Sequence, residues 1–193
     1  MTSGLRCTAL LVMDLQNGIV SRFVSKPELL LPFKQAIEAA RVHGVPVIYV
    51  RVAFREGYPE VSPNNKSFAA ITQVGGMTES DEATQIYSAV QPQPGELLVT
   101  KRRVSAFTGS DLEAILRARG IDTLVLTGIA TSGVVLSTLR EAADKDFALQ
   151  VLSDACLDAD PEVHRVLMEK VFPRQADVMT AEAWIASLNE GNG

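Results

Sequence analysis

The chain has 193 residues and a formal net charge of −5, which argues against nucleic acid or an anionic membrane as its partner. Hydrophobic residues make up 47% and charged residues 21% of the sequence, so we expect one globular domain over residues 1–193. No apolar run reaches the ~18 residues that span a bilayer. Two cysteines without a signal peptide favour a cytoplasmic protein that has no disulfide framework.

Continuous apolar segments alternate with amphipathic helices along the chain, and Gly44 and Gly120 end two of those helices. Strands that are apolar throughout are buried on both faces by crossover helices. The predicted strands are residues 9–13, 45–52, 97–100, 121–127, 147–153 and 177–179. We therefore predict a three-layer α/β/α sandwich with a doubly wound, mostly parallel, Rossmann-like sheet of about six strands.

Residues 54–96 lack this periodicity and are rich in proline and glycine. A loop-rich insertion of this length is unusual inside a compact domain. Two interpretations are open for this insertion: a lid or an oligomer contact, or a surface excursion with no role in the site.

Candidate functional residues lie where the predicted strands end, because open α/β sheets bind ligands outside the carboxyl ends of their strands. Asp14 follows the first strand, Lys101 follows the third, and residues 128–131 follow a central strand. Alone, Asp14 could be a turn cap and Lys101 a solvated lysine. Together they predict a crevice in which each side chain stabilises the charge of the other.

Four segments, "LLVMDLQNGIV", "KRRVSAF", "GIDTLVLTGIATSGVVLST" and "VLSDAC", give the sequence a clear resemblance to the isochorismatase-like (cysteine hydrolase) family. The resemblance covers most of the chain and implies an α/β/α sandwich that forms homo-oligomers. In the amidase branch of the family, an aspartate, a lysine and a cysteine are catalytic. The matching positions here are Asp14, Lys101 and Val134. The resemblance also implies an oxyanion hole from the backbone N–H groups of Ala130 and Val134, with a cis peptide bond between Ile129 and Ala130.

Val134 is the point at which this sequence departs from the family pattern. A valine side chain is hydrocarbon, so it cannot attack a carbonyl carbon. The neighbours Ser132 and Ser137 are poor substitutes, because one points elsewhere on a helix and the other lies one turn deeper. Cys7 and Cys156 belong to other parts of the sheet. The isochorismatase branch, which cleaves a vinyl ether without a nucleophile, has glycine at this position, so Val134 matches neither branch.

No metal or other cofactor is expected. Nicotinamidases of the family add an Asp/His metal cluster after the second strand, but residues 51–68 contain no histidine. The two histidines, His43 and His164, are too few and too widely separated for a histidine-based site. We interpret both as structural.

Three further residues are candidates for the substrate pocket. Gln16 could orient Asp14 or a water molecule, Phe107 could form a wall, and Arg55 could meet a substrate carboxylate. For each, a structural interpretation is also open: a turn hydrogen bond, core packing and a surface salt bridge, respectively.

The sequence thus supports two functional hypotheses. The first is a hydrolase that acts on a small metabolite, at an amide C–N or vinyl-ether C–O bond, by a non-covalent mechanism that uses Asp14 and Lys101. The second is a catalytically silent family member that binds a small ligand or serves as a structural oligomer. One electrostatic question stays open, because burial raises the pKa of an aspartate whereas a nearby ammonium lowers it.

Overall fold

A computed structural model describes residues 7–190. Six strands form one sheet in the order β3-β2-β1-β4-β5-β6, and every neighbouring pair is parallel. The strands are β1 Thr8–Met13, β2 Val47–Val52, β3 Leu97–Lys101, β4 Thr123–Ile129, β5 Ala148–Leu157 and β6 Asp177–Met179. This sheet confirms the predicted doubly wound, parallel α/β fold.

Helices cover both faces of the sheet, so that the central strands β1, β2, β4 and β5 each contribute to two separate cores. In β1, Leu11 and Met13 pack into one core, whereas Leu10 and Val12 pack into the other. Trp184 lies in the second core and is 2% exposed. The helices are α1 Asn17–Phe23, α2 Leu31–Val42, α3 Ile71–Val74, α4 Leu112–Ala118, α5 Leu136–Asp144, α6 Pro161–Val166 and α7 Ala181–Glu190. Among residues 7–190, no helix combines the length and the apolar character needed to cross a membrane.

The strand order reverses between β1 and β4, and this reversal places the ligand crevice of a doubly wound sheet at their carboxyl ends. Gly128 pairs with Met13 there. A Cβ atom at Gly128 would lie 2.6 Å from the Met13 carbonyl oxygen, so the close approach of the two strands requires glycine.

Two strands extend further than the sequence pattern predicts. The prediction ended β4 at residue 127 and β5 at residue 153, but the structure continues both, with Gly128 opposite Cys156 and Ile129 opposite Leu157. A register shift between Leu126 and Gly128 precedes this extra pairing. The polar residues of "SDAC" concealed the extension, because they interrupt the apolar run that marked the strand.

The insertion, residues 54–96, is mostly irregular and contacts the carboxyl edge of the sheet. Isolated bridges join Gln16 to Ile86 and Phe54 to Thr78. Within the insertion, the Phe54 ring packs against the rings of Tyr58 and Phe68, with centroid distances of 6.1 and 5.5 Å. The insertion therefore lies over the edge at which the candidate site residues converge.

Candidate active site

Asp14 directly follows β1 and has the left-handed backbone conformation, with φ of 60°. Aspartate is one of the few non-glycine residues that adopt this conformation readily. The Asp14 backbone N–H still donates to the Val50 carbonyl oxygen at 2.8 Å, so the chain turns away from the sheet directly after this residue. The carboxyl group is thereby held at the end of the strand, where it is 5% exposed.

Lys101 ends β3 and pairs with Asp14, with 3.0 Å between Lys101 Nζ and Asp14 Oδ2. The lysine is 1% exposed, and its Nζ also donates to the Arg103 carbonyl oxygen at 2.9 Å. Among the described residues, nothing donates to the other carboxylate oxygen, Asp14 Oδ1, although that atom is buried. The pair therefore retains one acceptor for a substrate or a water molecule.

Burial raises the pKa of Asp14 above its ordinary value, and the Lys101 ammonium lowers that pKa by less than burial raises it. Asp14 therefore holds its proton to a higher pH than an exposed aspartate does. This direction answers the electrostatic question that the sequence leaves open.

The strand-to-helix turn after β4 lies beside this pair. The Ile129–Ala130 peptide bond is cis, and the Ala130 carbonyl oxygen accepts hydrogen bonds from the N–H groups of Gly133 and Val135, at 3.1 and 3.3 Å. From outside the turn, Asp158 Oδ2 accepts a hydrogen bond from the Ser132 N–H at 2.7 Å. The backbone of the turn is thus held by hydrogen bonds within the turn and by one to Asp158 outside it.

Each histidine makes hydrogen bonds with its surroundings. His164 Nδ1 lies 2.8 Å from the Thr131 hydroxyl at the start of the turn, and burial lowers the pKa of His164. His43 Nδ1 lies 2.9 Å from the Ala39 carbonyl oxygen, and its Nε2 lies 3.1 Å from Asn189 Oδ1. These contacts are those of structural side chains.

An inner cavity of about 230 Å³ connects the pair and the turn. Its wall contains Asp14, Lys101, Ala130 and Val134, which the sequence predicted as site residues. The remaining lining residues are Ile19, Arg22, Phe23, Val52, Ser67, Phe68, Val104, Ile129 and Gly133. Val134 is 2% exposed, yet space remains in front of it, so its side chain does not close the cavity.

Sequence reasoning missed the contributions of α1 and of the insertion to this cavity. Ile19, Arg22 and Phe23 have the i, i+3, i+4 spacing of one helix face, and α1 follows Asp14 closely. That spacing could have indicated that the three residues share one face of α1. Ser67 and Phe68 lie in an aperiodic segment, which offered no such signal.

The three secondary pocket candidates do not line this cavity. Gln16 is fully buried, its Nε2 donates to the carbonyl oxygens of Val52 and Thr84, and its Oε1 accepts from the Val52 N–H. Phe107 packs against Phe147 in the core, with a centroid distance of 5.9 Å. Phe107 and Arg55 make the contacts of their structural interpretations, core packing and a surface salt bridge. Gln16 is also structural, but its partners are backbone groups distant in sequence and not those of a turn.

Arg55 pairs with Glu60 at 2.6 Å. Both residues line a separate depression of about 810 Å³ beside β3. Arg102 and Arg103 line it too, and each bonds to the side chain or backbone of Glu60. The arginines of this depression are thus occupied by groups of the protein itself.

The alternative nucleophiles weighed from the sequence lie away from the inner cavity. Ser132, Ser137, Cys7 and Cys156 are absent from its wall. Cys156 is 1% exposed, and burial raises the pKa of its thiol. The hydroxyl group in the wall is that of Ser67, on the insertion. Within the part of the chain that the structure describes, no three His, Cys, Asp or Glu residues form a group suited to a metal ion.

A buried aspartate–lysine pair lies beside a strand-to-helix turn at the switch point of a doubly wound sheet, where α/β proteins of this class bind their ligands. The family model described as the isochorismatase domain matches residues 8–183. The chain belongs to the isochorismatase family, as the sequence motifs predict.

Relatives and solved structures agree with this assignment. The ureidoacrylate amidohydrolase RutB of Stutzerimonas stutzeri is 34% identical over 207 residues, covering 94% of this chain and 80% of that protein. An isochorismatase family protein from Burkholderia thailandensis has a TM-score of 0.82 at 32% identity, covering 95% of this chain and 96% of its own. The N-carbamoylsarcosine amidase of Thermoplasma acidophilum has a TM-score of 0.73 at 27% identity, with coverage of 92% and 98%. Two of these proteins are named as an amidohydrolase and an amidase, which supports the predicted membership in a hydrolase family.

Proposed function

We propose that this protein hydrolyses a C–N bond of an amide type in a small metabolite, without a covalent enzyme intermediate. The observation that carries the proposal is the buried Asp14–Lys101 pair, which lines the inner cavity and leaves Asp14 Oδ1 without a hydrogen-bond partner among the described residues. The names of two relatives, an amidohydrolase and an amidase, support the choice of bond.

In the proposed reaction, the Asp14 carboxylate accepts a proton from a water molecule in the inner cavity. The water oxygen bonds to the amide carbon, and the carbonyl π electrons move to the carbonyl oxygen. The N–H groups of Ala130 and Val134 donate hydrogen bonds to the resulting oxyanion. The C–N bond then breaks, Asp14 returns the proton to the leaving nitrogen, and a carboxylic acid and an amine are released.

The Lys101 ammonium supplies positive charge beside Asp14. This charge limits the pKa increase that burial causes, so Asp14 can both accept and return a proton as the reaction requires. The absence of a thiol at Val134 does not affect this sequence of steps, since water is the nucleophile.

The raised pKa of Asp14 favours one second candidate, the cleavage of a vinyl ether. There a protonated Asp14 would give its proton to the terminal carbon of the enol ether. Water would add to the resulting cation, and collapse of the hemiketal would release a carbonyl compound and an alcohol. This reaction requires an acid at Asp14, whereas amide hydrolysis requires a base.

A hydrolysis screen that spans small amides, carbamoyl compounds and vinyl ethers tests the proposal. We expect Asp14→Asn to reduce turnover by about 10²–10⁴-fold, the usual contribution of a general acid or base. The matched control is Asp144→Asn, which removes an exposed carboxylate on α5 and should leave the rate unchanged. Wild-type activity that survives Asp14→Asn would rule out the proposed site.

Val134→Cys distinguishes the remaining possibilities. Amide turnover that appears only in this variant would mean that the natural chain lacks the reaction and would favour the silent interpretation. Amide turnover by the wild type, with an acyl-enzyme detected by mass spectrometry in the variant only, would instead support a non-covalent natural mechanism. Vinyl-ether turnover without amide turnover would select the second candidate.

A further inference from the structure

A second cavity adjoins the inner one and shares part of its wall. This outer cavity has a volume of about 580 Å³ and is built largely from α1 and the insertion. The two cavities have five lining residues in common: Ile19, Arg22, Val52, Ser67 and Phe68. A ligand that reaches Asp14 from the outer cavity therefore passes these residues.

The charges of the two walls leave Arg22 without a counter-ion. In the inner cavity, Asp14 and Lys101 neutralise each other, and Arg22 is the remaining ionisable residue of the wall. In the outer cavity, Arg22 is the only ionisable residue that the described part of the chain contributes to the wall. Among residues 7–190, the Arg22 side chain makes one hydrogen bond, from Nε to the Gly18 carbonyl oxygen at 2.7 Å. Its two terminal nitrogens are therefore available to a ligand.

Beyond Arg22, the outer cavity is apolar. Ile71, Val74 and Met77 line it, and Val74 is 82% exposed although it is a large hydrophobic residue. Bound apolar groups would gain by covering such side chains. The polar atoms at the junction come from Arg22 and from Ser67, whose hydroxyl has no hydrogen-bond partner among the described residues.

We propose that the two cavities form one site for a small amide that carries both a carboxylate and an apolar substituent, and that Arg22 binds the carboxylate. The reacting amide lies in the inner cavity, the carboxylate at the junction and the apolar group in the outer cavity. A guanidinium binds a carboxylate through two parallel hydrogen bonds, which fixes the orientation of the amide relative to Asp14. This inference rests on the proposed function for the position of the amide, but carboxylate binding by Arg22 stands independently of catalysis.

Calorimetric titration with three probes tests the assignment. N-acetyl-leucine has the amide, the carboxylate and the apolar group, whereas N-acetyl-leucinamide lacks the charge and N-acetylglycine lacks the apolar group. We expect the wild type to bind N-acetyl-leucine at least tenfold more tightly than either of the others. Arg22→Gln should abolish the preference over the neutral amide, and Val74→Asn should weaken the preference over the glycine derivative.

The matched control is Arg119→Gln, which removes an exposed arginine outside both cavity walls and should bind as the wild type does. Equal affinity of N-acetyl-leucine and N-acetyl-leucinamide, unchanged binding by Arg22→Gln, or no binding of N-acetyl-leucine at millimolar concentration would each overturn the inference. Repeating the titrations with Asp14→Asn separates the two proposals. Selective binding by the wild type without amide turnover would sustain the Arg22 assignment while the proposed reaction fails, and amide turnover by the wild type without selective binding would do the reverse.

Discussion

Replacement of Gln16 by leucine should destabilise the protein strongly, although Gln16 is outside the inner cavity. The Gln16 side chain is fully buried and makes three hydrogen bonds, at 2.8 Å to the Val52 carbonyl oxygen, 3.0 Å to the Thr84 carbonyl oxygen and 2.9 Å from the Val52 N–H. It thereby connects the end of β2 to the insertion. Leucine keeps the approximate volume of the side chain but leaves those three backbone groups without partners.

The size of the effect follows from the buried groups. Each buried backbone group that loses its partner costs about 1–3 kcal/mol, and the burial of a leucine side chain offsets part of the total. We therefore expect Gln16→Leu to lower the free energy of unfolding by about 3–4 kcal/mol. For a chain of this length, the corresponding decrease in melting temperature is about 10 °C.

The assay is urea unfolding monitored by the fluorescence of Trp184, which is buried in the same core as β2 residue Tyr49. The matched control is Asn17→Leu at the neighbouring position. Asn17 Nδ2 makes two hydrogen bonds to Glu82, at 2.8 and 3.0 Å, and both are exposed, so water can replace them and the loss should be about 1 kcal/mol or less. Equal losses in the two variants would refute the argument, because the larger loss is expected from the burial of the groups that Gln16 bonds.

Three further predictions concern the site itself. Gly128→Ala should destabilise the protein by about 1–3 kcal/mol in urea unfolding, because the added Cβ would lie 2.6 Å from the Met13 carbonyl oxygen. A loss below that range would show that the two strands can separate. Val134→Ala should cost about 2 kcal/mol in the same assay, because it deletes buried methyl groups and enlarges the inner cavity; an unchanged unfolding midpoint would mean that the turn collapses into the space. The free energy of unfolding of the wild type, compared with that of Asp14→Asn, should decrease as the pH rises from the unfolded-state pKa of an aspartate through the folded-state pKa of Asp14. The reason is that the folded-state pKa is raised, so the native state binds the proton more tightly than the unfolded state does. Urea unfolding of both proteins between about pH 4 and pH 8 measures this difference, and the opposite trend would show that attraction to Lys101 outweighs burial.

The sheet could be predicted from the sequence because its signals are local. Apolar runs mark buried parallel strands, and the parallel arrangement brings their carboxyl ends to one edge. The convergence of Asp14 and Lys101 followed from that rule, although β1 and β3 are separated by β2. The long side chain of Lys101 crosses the intervening strand, which its position at the end of β3 allows.

The walls of the cavity could be predicted only in part, because they depend on contacts between distant segments. The helical spacing of Ile19, Arg22 and Phe23 could be recognised in the sequence. The sequence did not indicate, however, which face of α1 lines the cavity. Ser67 and Phe68 reach the cavity through a segment without periodicity. The secondary candidates failed for a related reason, since Gln16 found backbone partners in the insertion and in β2, which no local pattern could have indicated.

Gln16 and Asp14 are both buried polar residues at the end of β1, and their hydrogen bonding separates a structural role from a functional one. The side-chain nitrogen and oxygen of Gln16 are both hydrogen-bonded to backbone groups. This is expected of a structural residue, because a buried polar atom without a partner costs free energy. Asp14 has one oxygen paired with Lys101 and the other without a partner among the described residues, and its burial outweighs the attraction of the ammonium. A pair that served only to stabilise the fold would gain from a second donor to Oδ1. Asp14 lines the same cavity as Ala130, where the turn begins, so the arrangement is better explained by a ligand that completes it than by a purely structural role.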